Sequence, residues 1–262
     1  PMAILGQTLG PFSDAAIEQC LRKYLPLVDK VLVRDIGSAE IARKAGVEGD
    51  RLRIVADMAT LVPVKAKAPR LGGKKLVGVM IQNFRHSYGT SGRNSTSSYN
   101  RVQYEDAIIE VLTKVNSRAP RFICIPSTTW DENVLDRIYR RMREAGMDAE
   151  ILRDPTFGQY IEACQSVDVM LSTNMHPIIL ASTAGAPSVA LSYSFKVDNY
   201  MASIGLGEYV HPIDAFDPSI VGAGIIDHLD NQSARSDSVA SELNKLSALA
   251  SSALGDIRSL VT

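Results

Sequence analysis

The stretch from Val169 to Lys196 collects most of the residue types in this chain that could do chemistry together. An apolar, strand-like run ends in Ser172, Thr173 and Asn174, and His176 stands at the start of the next helical pattern. Gly185, Ala186 and Pro187 then turn the chain into a second apolar run, which ends in Ser192 and Tyr193 with Lys196 just beyond. In open α/β sheets, ligands bind outside the carboxyl ends of the strands, and a helix that starts there offers unpaired N–H groups to an anion. Imidazole can move protons near neutral pH. Lys196 can hold a negative charge, and Ser172, Asn174, Ser192 and Tyr193 can hydrogen-bond the same ligand. The plain alternative is a capping histidine beside an ordinary surface lysine.

Two further places could meet an anion. Between Asp57 and Glu105 lie eight basic residues and no acidic one, while the rest of the chain carries 20 basic and 29 acidic residues. Within this strip Arg85 follows the strand pattern Leu76–Ile81 by a few positions. The Ser-, Thr- and Gly-rich segment up to Arg101 could close over a phosphate or carboxylate. For Lys65, Lys67 and Arg70 a solvated linker is the better reading. The other place is Arg34, at the end of the strand pattern Lys30–Arg34. It can grip an anion or pair with Asp35 or Asp57, and Ser38 reads as the N-cap of the helix that follows.

The elements needed to position these groups alternate between short apolar runs and amphipathic stretches, the pattern of βα units and a mostly parallel sheet. The prediction is an α/β chain of two Rossmann-like domains. Residues 1–62 form part of the first, 63–75 a linker with two glycines and two prolines, 76–236 the second, and 237–262 a C-terminal helix. That helix carries an apolar stripe from Leu243 to Ile257 and needs a surface to cover. The chain opens on Pro1, and Met2–Leu5 already reads as a buried strand, so the first domain reads as truncated.

Composition excludes several classes. The 262 residues are 45% hydrophobic and 22% charged with a net charge of −1. That balance is globular and gives no footprint for nucleic acid. Trp130 and the other aromatic residues do not interleave with basic ones as a nucleic-acid platform would. No run approaches the roughly 18 apolar residues of a membrane span. Three cysteines, Cys20, Cys124 and Cys164, are too few for a disulfide framework and read as reduced core residues. His86, His176, His211 and His228 are scattered, so no metal site is expected. Nucleotide-binding glycine motifs and nucleophile elbows are absent.

Taken in order, Gly6-Gln-Thr-Leu-Gly-Pro11, Val33-Arg-Asp-Ile-Gly-Ser38, Ala56-Asp57, Ser172 with His176, and Gly185-Ala-Pro187 through Tyr193 to Lys196 resemble the polysaccharide pyruvyl transferase family. The resemblance runs from about Ile4 to Gly207 and implies a GT-B-like fold, with the first domain on the acceptor side and the second on the donor side. It also implies phosphoenolpyruvate as co-substrate with no cofactor or metal, and a pyruvate ketal placed across two hydroxyls of a cell-surface glycan or lipid-linked sugar. His176 would be the general acid/base, with Arg34 also at the catalytic centre. Lys196, Ser172, Asn174, Ser192, Tyr193 and Arg85 would bind the donor. A cytoplasmic location is implied, with peripheral association at the inner face of the membrane. One departure stands out: the family commonly has Arg and a bulky apolar residue before the histidine, and here these positions are Asn174 and Met175. Arg85 or another strip residue then substitutes, or the donor differs, or the protein is a degenerate glycan-binding relative. A nucleotide-sugar transferase of the same fold is the rival enzyme.

Overall fold

A computed structural model describes residues 1–10, 12, 14–64, 73–83 and 99–260. Arg85 and most of the basic strip, including Lys65, Lys67, Arg70 and Arg93, lie outside the described residues. The chain divides into two units, one made of residues 1–62 and 243–262 and the other of residues 63–242.

In the first unit β1 (Ala3–Gln7), β2 (Lys30–Val33) and β3 (Leu52–Ile54) form a parallel sheet in that order. Helices α1 (Ala15–Tyr24) and α2 (Ile36–Lys44) connect them. Side chains alternate across a strand, and β2 shows the consequence. Val31 and Val33 pack into one core with Leu25, Ala39, Ala42 and Val47, whereas Leu32 packs on the other side with Val55 and Ala253. Asp35, not Ser38, caps α2: its carboxylate accepts the Ser38 N–H at 2.8 Å. Ser38 is buried inside the helix, and its hydroxyl receives the Leu9 N–H at 2.8 Å, which ties down the loop after β1. In that loop Gly10 has φ +67, a conformation that strains any other side chain, and a Cβ there would also press on Ile41 Cδ1 at 2.6 Å.

The second unit carries β4 (Leu76–Met80), α3 (Arg101–Asn116), β5 (Arg121–Cys124), α4 (Thr129–Glu144), β6 (Ala149–Ile151) and α5 (Phe157–Ser166). It continues with β7 (Val169–Ser172), α6 (Met175–Thr183), β8 (Ser188–Ser192), α7 (Phe195–Ser203), β9 (Val210–Pro212) and α8 (Pro218–Asp230). The six strands are parallel in the order β6-β5-β4-β7-β8-β9. The chain therefore runs outward from β4 to β6 and returns to the other side of β4 as β7. Such a reversal opens a crevice at the carboxyl ends of the two central strands. The last helix, α9 (Gln232–Arg258), starts five residues before the expected boundary, and its residues from Leu243 onward group with the first unit. Cys124 and Cys164 are buried as expected; Cys20 is exposed, on a helix that buries none of its residues.

At the opposite end of β8 from the crevice, His228 is fully buried on α8. Its Nε2 lies 3.2 Å from the Ser188 carbonyl oxygen, and its ring lies 4.1 Å from that of Tyr209. The Tyr209 hydroxyl donates to Asp227 at 2.7 Å and accepts from Arg235 at 2.6 Å. Burial, with a smaller push from Arg235, brings the His228 pKa down to about 4 against the pull of the Ser188 carbonyl and Asp227. The unfolded chain therefore takes up this proton first as pH falls. The stabilisation from keeping the ring neutral is complete above about pH 6.5 and is lost as pH falls to about 4, amounting to about 3 kcal/mol. Urea unfolding at pH 7.5 and pH 4.5 should show the loss, and His228→Gln should flatten that part of the pH dependence. An unchanged slope in the variant would assign the acid sensitivity to other groups.

Candidate functional site

Two strand ends in the second unit are built alike. Ser172, the last residue of β7, receives the Asn174 N–H on its Oγ at 3.0 Å and donates to the Asn174 carbonyl at 2.8 Å. Ser192, the last residue of β8, does the same with Ser194, at 3.2 and 2.9 Å. Each serine is buried and closes a three-residue turn from strand into helix. Asn174 and Ser194 occupy the N-cap positions, so His176 and Lys196 are the second residues of α6 and α7. Because β7 and β8 are adjacent, the two cationic or protonatable groups stand at neighbouring helix starts, and both are exposed. Ser172 and Ser192, which the sequence offered as donor ligands, have their hydroxyls engaged inside these turns, and they position the residues that follow.

The crevice between β4 and β7 is polar. Thr173 Oγ1 accepts the Gln82 N–H at 2.9 Å, and the Thr173 N–H donates to the Met80 carbonyl at 3.0 Å. The Gln82 side chain hydrogen-bonds the Tyr193 hydroxyl. Burial raises the pKa of that hydroxyl and the Asp131 carboxylate adds to the rise, while the bond from Gln82 opposes both. Tyr193 is thus a neutral hydrogen-bonding group. The amide oxygens of Gln82 and Asn174 are both buried without a hydrogen-bond partner, so Asn174 brings a dipole and no charge to this crevice.

On the β5 side, the Ser127 and Tyr160 hydroxyls bond at 2.8 Å. Asp131, almost fully buried, accepts from the Thr128 N–H and hydroxyl at 3.1 and 2.9 Å. Sequence reasoning missed Gln82, Ser127, Asp131 and Tyr160. Ser127-Thr128 directly after an apolar strand was a signal for the β5 end. Nothing local marks Tyr160, which joins only because β5 and β6 pair.

Arg34 belongs to the first unit. Its Nη1 pairs with Asp57 and its Nε donates to Thr8 Oγ1, the structural pairing that its neighbours in sequence suggested. Among the described residues, no group of three or more His, Cys, Asp or Glu is placed to hold a metal ion, and no helix is long and apolar enough to cross a membrane.

Parallel Rossmann-like sheets with polar strand ends define an α/β protein of GT-B type, and the solved structures that resemble it bear this out. The UDP-GlcNAc 2-epimerase of Neisseria meningitidis bound to UDP-GlcNAc superposes with a TM-score of 0.61 at 10% identity, covering 99% of this chain and 70% of that one. Anabaena Alr3699/HepE in complex with UDP gives 0.59 at 12% identity, covering 100% and 72%. The chain itself belongs to the polysaccharide pyruvyl transferase family, which matches residues 1–195 and so includes His176 and ends one residue before Lys196. The amylovoran biosynthesis protein AmsJ of Erwinia amylovora is 22% identical over 255 residues. That match takes in 88% of this chain and spans 59% of the length of AmsJ.

Proposed function

We propose that the protein transfers a pyruvyl group from phosphoenolpyruvate to two hydroxyls of a glycan sugar, leaving a ketal and inorganic phosphate. The observation that carries this reading is the pair of matched turns that set His176 and Lys196 at the starts of adjacent helices. Ketal formation needs a proton delivered to the methylene carbon of the donor as the first hydroxyl oxygen bonds to its C2 and loses its own proton. The second hydroxyl then displaces phosphate from C2 and gives up its proton in turn. An exposed imidazole at a strand end can carry these protons. Lys196 and the N–H groups of α6 and α7 supply the positive field that phosphate and carboxylate require. Arg34 stays in the reading as a further anion ligand, which requires it to share or exchange its bond to Asp57. Arg85 remains the candidate to compensate for Asn174.

Calorimetric titration separates the rivals. Phosphoenolpyruvate should bind, and Lys196→Ala should weaken it about 10- to 150-fold, the loss of a charge-assisted hydrogen bond. Binding of UDP-glucose with no response to phosphoenolpyruvate would replace this reading with a nucleotide-sugar transferase. A glycan that binds without phosphate release would point to a non-catalytic relative.

A further inference from the structure

Three strand ends of the first unit meet at Arg34. Its N–H donates to the Gln7 carbonyl at 3.2 Å. Its Nε donates to Thr8 Oγ1, just past β1, and its Nη1 pairs with Asp57, just past β3. Both partners are themselves fixed. The Thr8 hydroxyl donates to the Asp35 carboxylate at 3.2 Å, and that carboxylate also accepts the Ser38 N–H and hydroxyl, each at 2.8 Å. The other Asp57 oxygen accepts the Ala59 N–H at 2.9 Å. Among the described residues the Arg34 side chain makes no further bond. Nη2 is therefore uncommitted, on a side chain that is 15% exposed.

Thr8 reaches Arg34 through an irregularity in β1. Leu5 pairs with Leu32 and Gln7 with Val33, so Gly6 is an extra residue in the pairing, and it has φ +65. A bulge of this kind reverses the faces taken by the residues after it and re-aims a side chain. The Thr8 hydroxyl matters for what it prevents. An arginine fork and a carboxylate favour two parallel bonds. With Asp57 as its single partner, Arg34 can turn Nη2 onto the carboxylate beside Nη1, and the nitrogen that a ligand needs is then consumed. A bond at Nε fixes the orientation of the planar group, so Asp57 engages Nη1 and Nη2 stays open.

We propose that Thr8 is a positioning residue: it holds Arg34 out of a two-bond pair with Asp57 and so keeps Nη2 available to an anion. This rests on the reading that Arg34 is a ligand of phosphoenolpyruvate. Thr8→Val keeps the shape of the side chain and removes the hydroxyl. Calorimetric titration with phosphoenolpyruvate should show binding about 10-fold weaker in this variant, with Thr8→Ala alike and Thr8→Ser close to the unsubstituted protein. In an Asp57→Asn background, which removes the competing carboxylate, Thr8→Val should cost little, a coupling that lost packing alone does not produce. The Arg34 Nε–H resonance, assigned with Arg34→Lys, reports the hold without any ligand. It should move in Thr8→Val and stay in place in Thr8→Ser. Undiminished donor affinity in Thr8→Val, beside weakened affinity in Arg34→Ala, overturns the positioning role and keeps the donor reading. The same cost of Thr8→Val with and without Asp57→Asn also overturns it. Full affinity in Arg34→Ala removes Arg34 as a donor ligand, and the role of Thr8 with it. A protein that binds no phosphoenolpyruvate ends the pyruvyl reading, and the Nε–H resonance then decides by itself whether Thr8 holds Arg34.

Discussion

Replacing His176 by Gln is expected to lower pyruvyl transfer by a factor of about 10²–10⁴, the usual contribution of a positioned acid or base. Glutamine keeps hydrogen-bonding capacity at the helix start and removes the imidazole that would carry the proton. His176 is exposed, so the substitution uncovers no core and should leave the melting temperature in place. Its position is set by the Ser172 turn and the buried Met175 and Pro177 on either side, none of which the variant alters. Phosphate release from phosphoenolpyruvate in the presence of a glycan acceptor, measured beside thermal melting, gives both readouts. An active variant would end the acid/base assignment. A variant that unfolds would make the histidine structural, against its exposure.

Deleting residues 243–262 is expected to unfold the first unit. This segment covers the Leu32 face of the three-stranded sheet: Ala253 is buried against Leu32 and Val55, and Ile257 packs there with Leu5 and Met58. Asp256 pairs with Arg53 of β3, and Ser247 donates to the Thr60 carbonyl at 3.2 Å. Each large apolar side chain that loses its cover forfeits about 1.5–3 kcal/mol, so four of them together approach the roughly 5–15 kcal/mol by which a typical domain is stable. Ala253→Arg tests the same contact with a single residue, since it forces a charge into an apolar, fully enclosed position. Hydrogen exchange at β2 should accelerate in both variants. Full protection of β2 in the deletion variant would show that the helix is dispensable.

Much of the local structure was legible, for identifiable reasons. The strand Ser188–Ser192 stands where the turn at Gly185, Ala186 and Pro187 and the apolar run after it put it. The three-residue strand β9 escaped because Val210-His-Pro212 is too short to show alternation. The start of α2 was misplaced because Ser38 and Asp35 are both good capping residues, and only the placement of the chain shows that Ser38 faces inward to hold Leu9. Cys20 read as a core residue from its apolar neighbours, yet α1 buries none of its side chains.

By itself the sequence determined the α/β class, the succession of elements, and the presence of His176 and Lys196 just beyond two strand ends. These follow from local periodicity and from turn chemistry within a few residues. Tertiary structure alone decided that β7 lies between β4 and β8, so that the Ser172 and Ser192 turns become neighbours and Gln82 reaches Tyr193. It alone decided that Ser127 meets Tyr160 across the β5–β6 pair, and that the Ser172 and Ser192 hydroxyls are hydrogen-bonded within their turns. The reason is physical. An apolar strand buried on both faces carries the same pattern wherever it sits in the sheet, so the order of the strands, and with it the company each side chain keeps, is set by packing between segments far apart in the chain.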